Sequence, residues 1–81
     1  MFKSLFAKKY VPTGEPQYKY YAEKNRTYHS RISLFHVFVD SSGKRHAFRV
    51  RTIVSENSYD VRLALRSRGY ITKEEYIIST L

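Results

Sequence analysis

The sequence predicts a small α+β domain, an antiparallel sheet of three or four strands with one main helix packed on one face. Three observations predict it. Residues 31–54 read as a hairpin around a glycine-terminated loop, residues 56–68 combine helical spacing with helix-end residues, and 81 residues are too few for a second core.

The hairpin is the most legible element. RISLFHVFVD and KRHAFRVRTIV flank Ser41, Ser42 and Gly43. Asp40, Ser41 and Ser42 suit a type I turn, and Gly43 suits the left-handed position that closes a three-residue loop. That loop sets Asp40 opposite Lys44 and fixes the register of everything beyond. One face then holds Ile32, Leu34, His36 and Phe38 with His46, Phe48, Val50 and Thr52. The other holds Ser33, Phe35, Val37 and Val39 with Arg45, Ala47, Arg49 and Arg51. Side chains alternate across a strand, so the two sets stay apart unless a bulge intervenes. The first face is apolar and belongs to the core. The second mixes aromatic and arginine side chains.

The main helix is expected over residues 56–68. Ser55, Asn57 and Ser58 are N-cap types, Glu56 and Asp60 suit the first turn, and Gly69 stands where a helix-ending glycine belongs. Val61, Ala64 and Leu65 give it a narrow apolar stripe to lay on Leu34, Phe48 and Val50.

The flanks are read less directly. In residues 1–10, Phe2, Leu5 and Phe6 recur at helical spacing beside Lys3, Lys8 and Lys9, a short amphipathic segment; the Pro- and Gly-containing run 11–16 ends it. Residues 1–16 therefore form a basic segment and linker, and residues 17–81 a single compact domain. In 17–27, Tyr18, Tyr20 and Tyr21 favour a strand, although Pro16 would also suit a helix start. In 70–81, Thr72 and Glu75 make a capping box, with Ile71 and Tyr76 as its staple. The β-branched and aromatic run 76–80 argues the other way, for a terminal strand returning to the sheet edge, and the strand is expected.

Composition narrows the function. The net charge of +8 attracts polyanions, whether nucleic acid, anionic lipid or an acidic protein surface. The absence of cysteine leaves no thiolate to ligate a metal or attack a substrate, and it fits a cytoplasmic location. No apolar run approaches the roughly 20 residues that cross a bilayer. His29, His36 and His46 lack the further ligands a zinc site needs, so no metal and no cofactor are expected. The acids are scattered and no glycine-rich phosphate loop occurs, so no enzyme is expected.

Three groups of residues suit nucleic acid. Arg45, Arg49 and Arg51 share a sheet face with Phe35, which joins phosphate-binding cations to a base-stacking ring. Tyr20 and Tyr21 stand among Lys19 and Arg31 in a tyrosine-rich basic stretch. Arg62 and Arg66 lie one helical turn apart, without acids at matching spacing, as a stripe free to grip phosphate. The helix–strand–strand–strand–helix order resembles that of double-stranded-RNA-binding domains, although residues 55–62 lack the lysine run those domains set against phosphates, and their function is not carried over.

The expectation is a non-enzymatic accessory domain that binds DNA or RNA, single strands included, with tolerance for sequence. The alternative is a small inhibitor or adaptor, of the kind phages and mobile elements encode, that docks on an acidic or nucleic-acid-binding surface of a host protein. A half-exposed apolar sheet face would also suit a homodimer.

Overall fold

A computed structural model describes residues 10–81. In chain order they form β1 (Tyr18–Asn25), β2 (Ser30–Val39), β3 (Arg45–Ser55), α1 (Ser58–Ser67), β4 (Ile71–Thr72) and α2 (Lys73–Ser79). The expected amphipathic segment falls, except for Tyr10, outside the described residues. No described helix is long and apolar enough to cross a membrane.

The strands lie in the order β3-β2-β1-β4. The β1–β2 and β2–β3 ladders are antiparallel, as expected, and β1 is a strand. The short β4 pairs in parallel with Tyr20 and Tyr21 of β1, so the sheet is mixed rather than wholly antiparallel.

The hairpin loop closes as its residues dictate. Gly43 takes φ 87° and donates its N–H to the Asp40 carbonyl. The Asp40 carboxylate accepts from the Ser42 and Lys44 backbone N–H groups and from the Ser42 hydroxyl. From that loop the expected register runs unbroken from Val39 opposite Arg45 to Phe35 opposite Arg49. There it slips by one. Leu34 stands opposite Arg51, leaving Val50 as the extra residue of a β-bulge. Beyond the slip Ile53, not Thr52, faces Ile32. The half-buried positions of β3 switch accordingly from His46 and Phe48 to Ile53 and Ser55.

The α1 helix has the ends its sequence announces. The Asn57 side chain caps it by accepting from the Asp60 N–H. At the other end Gly69, at φ 89°, donates to the Arg66 carbonyl, and Tyr70 donates to that of Leu65. These two bonds satisfy carbonyls that a helix end otherwise leaves open. Leu65 packs with Tyr21, Ile32 and Leu34, and Ile53, Val61 and Tyr70 close around them. Val50, expected beneath the helix, is 48% exposed, because the bulge removes it from the ladder.

The chain end differs from expectation. After β4, the Thr72 hydroxyl accepts from the Glu75 N–H, and the Glu75 carboxylate accepts from the Thr72 N–H. This reciprocal capping box turns the chain into α2, and the β-branched run is helical. The helix lies on the sheet face opposite α1, with Tyr76 stacked on Tyr20. On that side Phe35 stacks on Tyr20, which Tyr76 of α2 backs in turn, and Val37 is fully buried opposite Tyr18.

Candidate nucleic-acid interface

Ladder pairing assigns each strand position to a face, since paired residues project to the same side. The α1 side carries Lys19, Tyr21 and Glu23 of β1 with Ile32, Leu34 and His36 of β2 and Arg51, Phe48 and His46 of β3. The α2 side carries Tyr18, Tyr20, Ala22 and Lys24, then Arg31, Ser33, Phe35 and Val37, then Arg45, Ala47, Arg49, Thr52 and Val54.

The arginine face expected from sequence therefore divides. Arg45 and Arg49 stay with Phe35, whereas the bulge sends Arg51 to the α1 side, opposite Leu34. Arg31 joins the first pair from β2, and Lys24 stands beside it on β1. The sequence counts Lys24 among the cations of the tyrosine-rich stretch but does not place it on this face, because that depends on the β1–β2 register, and no loop of recognisable type announces that register. Lys24, Arg31, Arg45 and Arg49 are all exposed. Arg45 is partly engaged, donating to the Thr80 carbonyl across the end of α2.

The helix arginines are occupied. Arg62 bonds the Glu23 carboxylate at 2.9 Å and also donates to the Ser58 hydroxyl. Arg66 meets Glu75 at 2.8 Å. The acids come from β1 and α2, which explains why no partner was visible at helical spacing. Burial pulls the Glu23 pKa up, but the bonds from Arg62, Ser30 and Ser58 outweigh it and hold it below the ordinary value. Glu75 is lowered to about 2, first by the Arg66 bond and then by Thr72.

The tyrosines and Lys19 are likewise committed. Tyr20 is 8% exposed and Tyr21 4%, so both serve as core rings, one on each face. Burial, and then Tyr76, raises the Tyr20 pKa. Lys19 donates to the Arg68 carbonyl at 2.7 Å, with its ammonium 5.0 Å from the centre of the Tyr70 ring.

His36 and Tyr70 hydrogen-bond at 2.7 Å. Burial, followed by the charge of Lys19, lowers the His36 pKa against an opposing pull from Glu15. His46 bonds Asp40 at 2.8 Å under the stacked ring of Tyr10. Among the described residues, no group of three or more His, Asp or Glu converges on a point where a metal could sit.

On the strands of the α2 side there are thus four exposed cations and no carboxylate (Lys24, Arg31, Arg45, Arg49). Phe35 lies among them, half-buried, opposite Arg49. Such a surface can hold a polyanion and offer it an apolar ring. No family model matches the chain, nor does any curated protein or solved structure.

Proposed function

We propose that this chain is a small binding protein that holds nucleic acid along the α2 side of its sheet, with tolerance for sequence. The observation that carries the reading is the acid-free line of Lys24, Arg31, Arg49 and Arg45 across the three long strands. From the level of Arg31 to that of Arg45 the ladder advances from position 31 to position 39 of β2. At roughly 3.3 Å per residue this is about 26 Å, the reach of several nucleotides. Guanidinium groups on exposed strand positions reach phosphates without reading base edges, hence the tolerance for sequence. Glu23, Asp40 and Glu75 have lowered pKa values, Glu23 and Glu75 in ion pairs with arginines and Asp40 in hydrogen bonds with Ser42, Lys44 and His46, the opposite of the poise a general acid needs at neutral pH. That supports binding without catalysis, and a cysteine-free chain of this charge suits the cytoplasm, where nucleic acid is at hand.

The test is fluorescence anisotropy with labelled single- and double-stranded DNA and RNA at low and moderate salt. Releasing counterions from four phosphates predicts a log–log salt slope of roughly −3. The double variant Arg31→Ala/Arg49→Ala should lose most of the affinity. Absence of binding to all four probes at low salt would remove the proposal.

A second reading, a docking module for a host protein, draws on the outer edge of β1. Arg26 donates its N–H to the His29 carbonyl, and alternation along the ladder then turns the N–H and C=O groups of Glu23 and Asn25 away from β2. The pairing with β4 stops at Tyr21. A cleft of about 330 Å³ adjoins this open edge, lined by residues that include Ala22, Glu23, Arg62 and Lys73. An extended segment of a partner can add there as a strand. A stoichiometric partner that survives nuclease treatment, and is lost from Asn25→Pro, would favour this reading.

A further inference from the structure

Three rings stand in a row on the α2 side of the sheet. Tyr76 stacks on Tyr20 with centroids 4.6 Å apart and planes within 10°, and Tyr20 stacks on Phe35 at 4.9 Å and 12°. They come from α2, β1 and β2 in turn. The Tyr20–Phe35 step matches the lateral spacing of strands, about 4.8 Å, so the row runs across the strands rather than along them. Phe35 ends it. Among the described residues no further ring stacks on Phe35, and the next place in the row lies over β3, where its ladder partner is Arg49. Arg49 is exposed, and so is its neighbour on that face, Ala47, which offers only a methyl group to fill the space.

The other aromatic cluster does not have this opening. Phe38 and Phe48 meet edge to face, and Tyr10 covers Phe48 and His46.

We propose that the open face of Phe35 takes one unpaired nucleobase, stacked as the fourth member of the row, while Arg49 holds the adjoining phosphate. The proposal rests on the nucleic-acid reading above and deepens it, because it makes single-stranded nucleic acid the ligand. A base inside a duplex already has both faces covered by its neighbours and cannot offer one to Phe35. The platform is built in advance: Tyr20 is buried and backs Phe35, Tyr76 backs Tyr20, and little side-chain freedom remains to be lost on binding. Ser33 and Thr52 pair on the adjacent level of the same face. Their hydroxyls both donate and accept, so they can meet the edge of any base without selecting one. The bulge contributes too, since it sends Arg51 to the opposite face and leaves the level beside Arg49 to Thr52.

The experiment compares a labelled 12-nucleotide oligothymidylate with an abasic strand of the same length, for the native protein and for Phe35→Leu, at several salt concentrations. Phe35→Leu should weaken the oligothymidylate by about 5- to 100-fold, and leave the abasic strand and the salt slope unchanged. Phe35→Tyr should bind as the native protein does. In a second measurement that needs no variant, a strand carrying 2-aminopurine should lose fluorescence as its base stacks on the native protein. Salt-dependent binding that ignores the presence of bases, or a 2-aminopurine signal that does not change, would overturn the stacking site and leave the phosphate track standing. No binding of either strand at low salt would overturn both.

Discussion

Arg49 and Arg51, which an unbroken strand would set on one face, lie on opposite faces of the sheet. Arg49 stands opposite Phe35 and Arg51 opposite Leu34, with Val50 left over between them. The same single-residue slip moves Ile53 into the core and Val50 out of it.

The first prediction uses this separation. Arg49→Ala should reduce the salt slope of single-strand binding by about 0.7 and weaken affinity several-fold. Arg51→Ala, equal in charge removed, should leave the slope near its native value, because its side chain is on the wrong side of the sheet. Titrations of both variants across salt concentrations decide it. Equal losses would mean that general charge, not the α2 side, attracts the ligand.

Much of this fold was legible because local chemistry and global packing agree. Asp40 and Gly43 announced the hairpin loop, and the five ladder pairs nearest to it stand as the loop dictates. Asn57 and Gly69 bounded α1. The bulge was not legible, since Arg49, Val50 and Arg51 carry no glycine or other local mark, and the slip is set by which residue, Ile53 or Thr52, fits against Ile32 beneath α1. At the chain end two local signals competed. The Thr72–Glu75 box prevailed over β propensity because Tyr76 gains Tyr18 and Tyr20 as neighbours when the segment is helical. The site was half legible for the same reasons. Phe35, Arg45 and Arg49 followed from the loop, whereas Lys24 depended on the β1–β2 register, and the engagement of Arg62 and Arg66 required acids distant in sequence.

The second prediction concerns the core. Leu65 is 4% exposed and is the one buried residue that α1 contributes. Leu65→Ala removes its packing against Tyr21, Ile32 and Leu34 and should cost about 2–5 kcal/mol. A domain of this length has a stability on the order of 5 kcal/mol, so the variant keeps at most about 3 kcal/mol and should unfold at a markedly lower urea concentration. Urea denaturation followed by circular dichroism measures the loss. A midpoint close to the native one would show that α1 contributes little to the folded state.

The third prediction separates stability from binding at Arg62. Its partner Glu23 is only 15% exposed on its side chain, so removing the guanidinium strands a half-buried carboxylate. Arg62→Ala should destabilise by roughly 1–3 kcal/mol, between the values for exposed and buried pairs. Its effect on nucleic-acid affinity should be smaller than that of Arg49→Ala, since the charge of Arg62 is already answered by Glu23. Adding Glu23→Gln should recover part of the stability, because the neutral side chain no longer strands a charge. If Arg62→Ala weakened binding more than Arg49→Ala in a still-folded protein, the helix would have to be counted as part of the interface.

The fourth prediction is a fall of stability on acidification in two stages. The pKa values of His36, Glu23, Asp40 and Glu75 are all lower in the folded chain than their ordinary values. A group of lowered pKa binds its proton more readily when unfolded, so its contribution is complete above the ordinary pKa and is lost as pH falls through the folded one. For His36, half-buried against Tyr70 and near Lys19, the loss begins below its ordinary 6.5. For Glu23 and Glu75 it begins below 4.5, and for Glu75 it continues to about 2, where the Arg66 bond and the capping box lose their carboxylate together. Above about pH 7.5 the contribution of His36 is complete. The urea midpoint, followed from about pH 8 to pH 3, should therefore decline gently through the histidine range and steeply through the carboxylate range. His36→Gln keeps a hydrogen-bonding side chain beside Tyr70 without a titrating ring, and it should abolish the first decline alone. A first stage that persists in His36→Gln would remove His36 as its source, and a midpoint unchanged between about pH 8 and 5 would mean that His36 accepts its proton in the folded state at no cost.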